Sequence, residues 1–192
     1  GKTLLVVSDA SGEERIEQHD TTGVRSFEAD LGHVSSLRAA PQGRWVAVAN
    51  HRNQLLLGDL GEPEPVGDSA FQVLDHSDAG RIEDLAWSAD GQWLAYSFQV
   101  TARQRAIKLC ELATRRCTLV TQPEFRDYCP SFDPAGRYLY FLSLRTYDPV
   151  YDSVQFEMSF PRAARPYLVA LQAAGTPPFD AEPKGLKDSD TP

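Results

Sequence analysis

Hydrophobic and polar residues along the chain repeat in a pattern of short apolar runs closed by turns. The segments "APQGRWVAVA" from Ala40, "SADGQWLAYS" from Ser88 and "DPAGRYLYFL" from Asp133 align without gaps. Each has a turn ending in glycine, then a polar residue, an aromatic residue and an apolar, β-prone stretch. Glycines at 43, 91 and 136 fall where a tight turn demands positive φ, which glycine tolerates at little steric cost. The runs after them, Trp45–Ala49, Trp93–Phe98 and Tyr138–Leu142, are nearly continuously apolar. Such a run suits a strand covered on both faces. A strand is also expected before each turn, over Ser36–Ala39, Asp84–Trp87 and Cys129–Phe132. A third is expected after it, over Gln54–Leu60, Ala106–Leu112 and Tyr167–Leu171, and a fourth is clearest over Cys117–Thr121. No stretch of ten or more residues carries a helical period.

"GKTLLVVS" at the start fits the same frame, with Thr3 in the aromatic slot. Gly1, Gly43, Gly91 and Gly136 are then separated by 42, 48 and 45 residues. A period of about 40–50 residues, with four antiparallel strands in each, is the signature of a β-propeller blade. A sandwich would also be free of helices, but it has no reason to keep this period. The expected fold is therefore all-β, a partial propeller of about three and a half four-stranded blades. The units are 1–30 (partial), 31–79, 80–124 and 125–171, followed by a Pro/Gly/acidic linker over 176–192. A closed ring takes about four to eight blades, so the chain reads as about half of a larger ring, or as a small and incomplete one. An open arc leaves two blade faces uncovered, which favours association through them. In the last unit the segment 145–164, "RTYDPVYDSVQFEMSFPRAA", replaces a short loop. Its aromatic content implies that it packs on something: a covering flap, a contact with another domain, or a ligand site.

Composition narrows the function. Of 192 residues, 42% are hydrophobic and 24% charged, as in a globular protein. The formal charge of −8 repels phosphate backbones and makes nucleic acid a poor partner. No apolar run reaches the ~18 residues that span a bilayer. Cys110, Cys117 and Cys129 lack the even count and spacing of a disulfide framework, and they suit a reducing compartment. Cys110 and Cys117 flank a short turn, so strand register can bring them together; otherwise they are small apolar strand residues.

The motifs of chemistry are missing. There is no GxSxG, HExxH, Walker A or GxGxxG pattern. His19, His33, His51 and His76 are not paired at metal-ligand spacing. "DHSD" (Asp75–Asp78) falls at a unit junction and reads as a turn rather than a triad. No catalytic residue, metal site or cofactor is expected. The innermost strand of each blade lines a propeller's axis, so Arg38, Asp84 and Ser131 are the channel candidates. Arg162 and Arg165, closing the insertion, are candidates for holding a peptide carboxylate by forked hydrogen bonds.

"LAWSADGQWLAYSF…AIKLCELATRRCTLVT" resembles the short propeller repeat of TolB-like proteins. The longer stretch from "DHSDAGRIEDLAWSADGQWLAYSF" through "FRDYCPSFDPAGRYLYFLSLRTYDP" to "FEMSF…RPYLVAL" is similar to the second propeller of tricorn-type proteases. That resemblance implies the C-terminal half of a seven-bladed ring which filters unfolded oligopeptides towards a serine-protease centre located elsewhere. It also implies a cytoplasmic parent that assembles as a hexamer, with the remaining blades and protease domains as partners. None of the family's catalytic residues maps onto this chain. The alternatives are a TolB-like propeller serving as a protein-interaction platform and the propeller cap of a prolyl-oligopeptidase-type hydrolase.

Overall fold

The computed structural model describes residues 3–27, 29–61, 70–152, 154, 157–173 and 178–179. Sixteen strands and no helix occur among them. The linker expected over 176–192 lies outside the described residues except at 178–179, and Gly1 also lies outside them.

The first sheet holds β1 (Leu4–Ser8), β2 (Arg15–Asp20) and β3 (Gly23–Phe27), paired in that order. The second runs β4 (Val34–Ala39), β5 (Trp45–Asn50), β6 (Gln54–Asp59) and β7 (Phe71–His76). The third runs β8 (Ile82–Trp87), β9 (Trp93–Gln99), β10 (Arg105–Glu111) and β11 (Arg116–Leu119). In the fourth, β12 (Arg126–Phe132) pairs with β13 (Tyr138–Leu144), and β13 pairs with β16 (Ala164–Ala170). One parallel bridge between Arg105 and Arg126 links the third and fourth sheets. Between β13 and β16, β14 (Val150–Asp152) and β15 (Glu157–Ser159) form a separate hairpin.

The repeated turn closes identically three times. The Gly43, Gly91 and Gly136 amides donate to the carbonyls of Ala40, Ser88 and Asp133 at 2.8, 2.9 and 2.8 Å. All three glycines have positive φ, at 74, 66 and 68°. An L-residue there pays the steric penalty of the left-handed region, so the glycine of the sequence repeat is a backbone requirement.

Strand alternation decides how the sheets stack. On β5, Val46 and Val48 point into the core shared with Ile16 and Phe27 of the first sheet. Ala47 and Ala49, one residue out of step, point into the core shared with Ile82, Leu94 and Tyr96 of the third. On β9, Ala95 turns the other way, towards Leu139 and Phe141 of the fourth. Three cores thus lie between successive sheets, and β5 and β9 are apolar throughout because each face meets a different neighbour. The valines of β5 face one neighbouring sheet and its alanines the other. The arrangement is a partial β-propeller.

Candidate functional site

The inner strands β4, β8 and β12 are consecutive neighbours: β4 touches β8, and β8 touches β12. Each pairs with the next strand of its own sheet through a register shift, at Val34/Ser36, Glu83/Ala86 and Tyr128/Ser131. A bulge bends a strand and increases its twist, so the shifts re-aim the inner strands, at equivalent places in β8 and β12 and farther from the turn in β4. Two bulge residues take a left-handed conformation without being glycine, Asp84 at φ 55° and Cys129 at φ 52°.

Asp84 shows what stabilises that strain. Its Oδ2 accepts the Ser97 hydroxyl at 2.7 Å within its own sheet and the Cys129 amide at 3.1 Å from the next. Aspartate is among the residues that tolerate this backbone region best. Asp84 therefore fastens two inner strands at their bulges. The other inner junction is tied through the Trp87 indole, which donates to the Arg38 carbonyl at 3.0 Å. Arg38 and Ser131 are exposed on β4 and β12, while Asp84 is half-buried on β8. Arg162 and Arg165 lie elsewhere. Arg162 sits in the turn after β15, and Arg165 is on β16 opposite Ser143, with β13 standing between β16 and the inner strand β12. The structure thus groups Arg38, Asp84 and Ser131 on three adjacent inner strands and leaves the two insertion arginines apart.

Further out, the second and third sheets are joined by a buried polar cluster. Asp75 Oδ2 accepts the Tyr96 phenol at 2.6 Å and Lys108 Nζ at 2.7 Å. The ammonium also lies 3.5 Å from the centre of the Phe98 ring. Burial, and then the Asp75 carboxylate, push the Tyr96 phenol far above its usual range, so it remains a donor. Asp75, read from "DHSD" as part of a turn, is at the end of β7 and pairs with Leu55. Its partners come from β9 and β10, which sequence proximity could not reveal. In the fourth sheet, the fully buried Asp127 accepts the Ser143 hydroxyl and Arg145 Nη2. The Arg145 guanidinium lies 4.2 Å from the Tyr167 ring centre and 4.7 Å from that of Phe125.

Two clefts open at sheet junctions. One, of about 900 Å³, lies between the first and second sheets and is lined by residues including Glu14, Asp30, His33 and Arg52. Glu14 Oε2 accepts the Val34 amide at 2.6 Å, and its other oxygen meets His33 Nδ1. The His33 amide donates to His51 Nδ1 at 2.8 Å, which leaves the His51 proton on Nε2. The Val34 amide, with lesser help from His33, holds the Glu14 carboxyl below its ordinary range. These residues sit in loops with no periodic signal, so the sequence reading missed the cluster. The second cleft, about 390 Å³, lies between the third and fourth sheets around Trp93, Phe132 and Pro134. Neither is lined by Arg38, Asp84 or Ser131.

Beyond Arg145, the aromatic and apolar side chains described in the insertion are largely exposed. Tyr151 and Met158 face each other across the β14–β15 hairpin and are each 61% exposed. Tyr147 is 79% exposed and stands against Phe160 at a ring separation of 5.5 Å. Phe156, counted with this aromatic set, lies outside the described residues. No group of three or more His, Cys, Asp or Glu residues suited to a metal occurs among the described residues. No helix among them is long and apolar enough to cross a membrane.

Radially stacked sheets with bulged, adjacent inner strands define a propeller segment. Residues 1–192 match the family described as the tricorn protease second beta propeller domain, and the chain belongs to that family. It is 35% identical over 189 residues to tricorn protease homolog 1 of Streptomyces coelicolor, covering 95% of this chain and 17% of that protein. It is 33% identical over 172 residues to a putative tricorn-like protease C-terminal subunit of Sulfurisphaera tokodaii, covering 90% of this chain and 19% of that protein. The chain thus spans less than a fifth of the length of these relatives. The crystal structure of the tricorn protease superposes with a TM-score of 0.82 at 24% identity, over 98% of this chain and 19% of that one. A putative TolB from Agrobacterium tumefaciens shares the fold at a TM-score of 0.56 and 17% identity, over 89% of this chain and 58% of that one.

Proposed function

We propose that this chain is a non-catalytic stretch of the second propeller of a tricorn-like serine protease, and that it gates oligopeptides on their way to a protease site elsewhere in the parent. The observation that supports this best is the grouping of Arg38, Asp84 and Ser131 on three consecutive inner strands, in a chain that belongs to the tricorn propeller family. A ring whose axis is lined by such strands passes extended chains and rejects folded ones by size, with no bond made or broken. Asp84 contributes by keeping two inner strands in register, while Arg38 and Ser131 present side chains to the passing peptide. Arg162 and Arg165 act outside the channel as contacts for a peptide carboxylate. The reading carries with it a cytoplasmic, hexameric parent, in which the remaining blades and the protease domains cover the open sheet faces.

The test is substitution of Ser131 by tryptophan in the parent enzyme. Narrowing the axis should lower kcat/KM for long unfolded peptides at least about tenfold, a barrier of ~1.4 kcal/mol, while a dipeptide-sized fluorogenic substrate small enough to bypass the filter is spared. Equal loss for both substrates, or none for either, refutes gating. A second reading, a TolB-like interaction platform, is favoured by the exposed apolar hairpin at Tyr151 and Met158. Under that reading Ser131→Trp leaves proteolysis untouched, and Tyr151→Ser weakens a protein contact instead.

A further inference from the structure

Cys110 and Cys117 stand directly opposite each other where β10 pairs with β11. Along an antiparallel ladder, hydrogen-bonded and non-hydrogen-bonded pairs alternate. The Val120 amide donates to the Ile107 carbonyl at 2.8 Å, one step beyond the Lys108–Leu119 pair. Stepping back along the register, Leu109–Thr118 is again a hydrogen-bonded pair and Cys110–Cys117 is not. Opposed residues at such a site bring their Cα atoms to ~4.5 Å. That lies inside the range of about 4.4–6.8 Å over which a disulfide forms without moving the backbone.

The two thiols differ in a useful way. Cys110 is buried, whereas Cys117 is half-buried. A reagent can reach Cys117, and Cys110 lies behind it. The Cys110 thiol beside it holds Cys117 below an ordinary thiol, against the burial that raises it, and Cys110 is itself pushed up by Cys117 and by burial. Cys117 Sγ also lies 3.8 Å from the Leu74 carbonyl of the second sheet, so this pair sits at the junction of two blades. A bulky group held on Cys117 would wedge that junction. Cys129 is remote in the fold, exposed on β12, and its thiol is raised by desolvation and then by Asp84.

We propose that Cys110 and Cys117 form a redox-active dithiol that closes to a disulfide by exchange with low-molecular-weight disulfides. The Cys117 thiolate attacks one sulfur of the small disulfide. That S–S bond breaks, and one small thiol leaves with the proton Cys117 gave up. Cys110 then loses its proton and attacks the Cys117 sulfur of the mixed disulfide, and the second small thiol departs with that proton. Two protein thiols are oxidised and one small disulfide is reduced to two thiols. The function of the pair is to clear adducts from the blade junction before they separate the sheets.

The test uses the intact protein that carries this chain, treated with oxidised glutathione under native conditions, then acid-quenched, alkylated and digested with trypsin. Arg115 and Arg116 lie between the two cysteines, so a disulfide appears as two tryptic peptides joined. The expected result is loss of Cys110 and Cys117 alkylation together, with a joined peptide that dithiothreitol separates, while Cys129 remains alkylatable. Cys110→Ser, with Cys110→Ala as the apolar replacement, should instead stop at a lasting glutathione adduct on Cys117. Accumulation of that same adduct in the wild-type protein would overturn the proposal. So would failure of both thiols to react while the protein remains folded, a result that needs no variant.

Discussion

Replacing Asp75 by alanine tests how the blades are held together. The Asp75 and Lys108 side chains are 15% and 16% exposed, well below the exposure at which water screens an ion pair to near nothing. Removing the carboxylate leaves the largely buried Lys108 ammonium and the buried Tyr96 phenol without this acceptor. Breaking a buried pair from one side costs about 3–5 kcal/mol. For a chain of this length each kcal/mol lowers Tm by about 2–4 °C, so the fall is on the order of 10 °C. Tyr96→Phe removes only the donor and costs about 1.5–3 kcal/mol, the range for a hydrogen bond to a charged acceptor. Because both act through one oxygen, Tyr96→Phe added to Asp75→Ala should cost almost nothing more. Tryptophan fluorescence during urea unfolding is a suitable readout. Trp87 bridges the second and third sheets through its bond to Arg38, and Trp45 and Trp93 lie one on each side of that junction. A loss below about 1 kcal/mol for Asp75→Ala, or a full Tyr96→Phe cost in its background, refutes the claim that this cluster clamps the blades.

Two further outcomes follow from local geometry and charge. In Gly58→Ala the new methyl would stand 2.3 Å from the Phe71 ring. Gly58 lacks a left-handed backbone, so the cost is overpacking alone, about 1–3 kcal/mol, and Gly58→Ala with Phe71→Leu should recover part of it in the same denaturation assay. The Glu14 carboxyl is held low by the Val34 amide. The stability it contributes is therefore present above its unfolded pKa of about 4.3 and is lost as pH falls through the lower folded value. Urea midpoints measured from neutral pH down to about pH 3 should fall less steeply in Glu14→Gln than in the wild type, and parallel curves would show that this contact adds no stability.

The repeating unit is written locally along the chain. The turn glycines at 43, 91 and 136 and the apolar runs after them carry the strands, because turn geometry and two-sided burial act over a few residues and leave a local mark. From that period alone the partial propeller was legible, and so were the inner strands bearing Arg38, Asp84 and Ser131. Tertiary structure decided which side chains meet. Asp84 reads along the chain as a channel candidate on an inner strand, and its carboxylate joins Ser97 to the amide of Cys129, 45 residues on. Asp75 finds Tyr96 and Lys108 in the next sheet, and Glu14 finds His33 across a cleft. The facing of Cys110 and Cys117 stood between these cases, open in the sequence and settled by the β10–β11 register. The aromatic content of 145–164 implied burial, but Tyr147, Tyr151 and Met158 of that segment are exposed among the described residues. Contacts between blades depend on how sheets stack about an axis, and stacking is a property of the whole arc that no stretch of ten residues encodes.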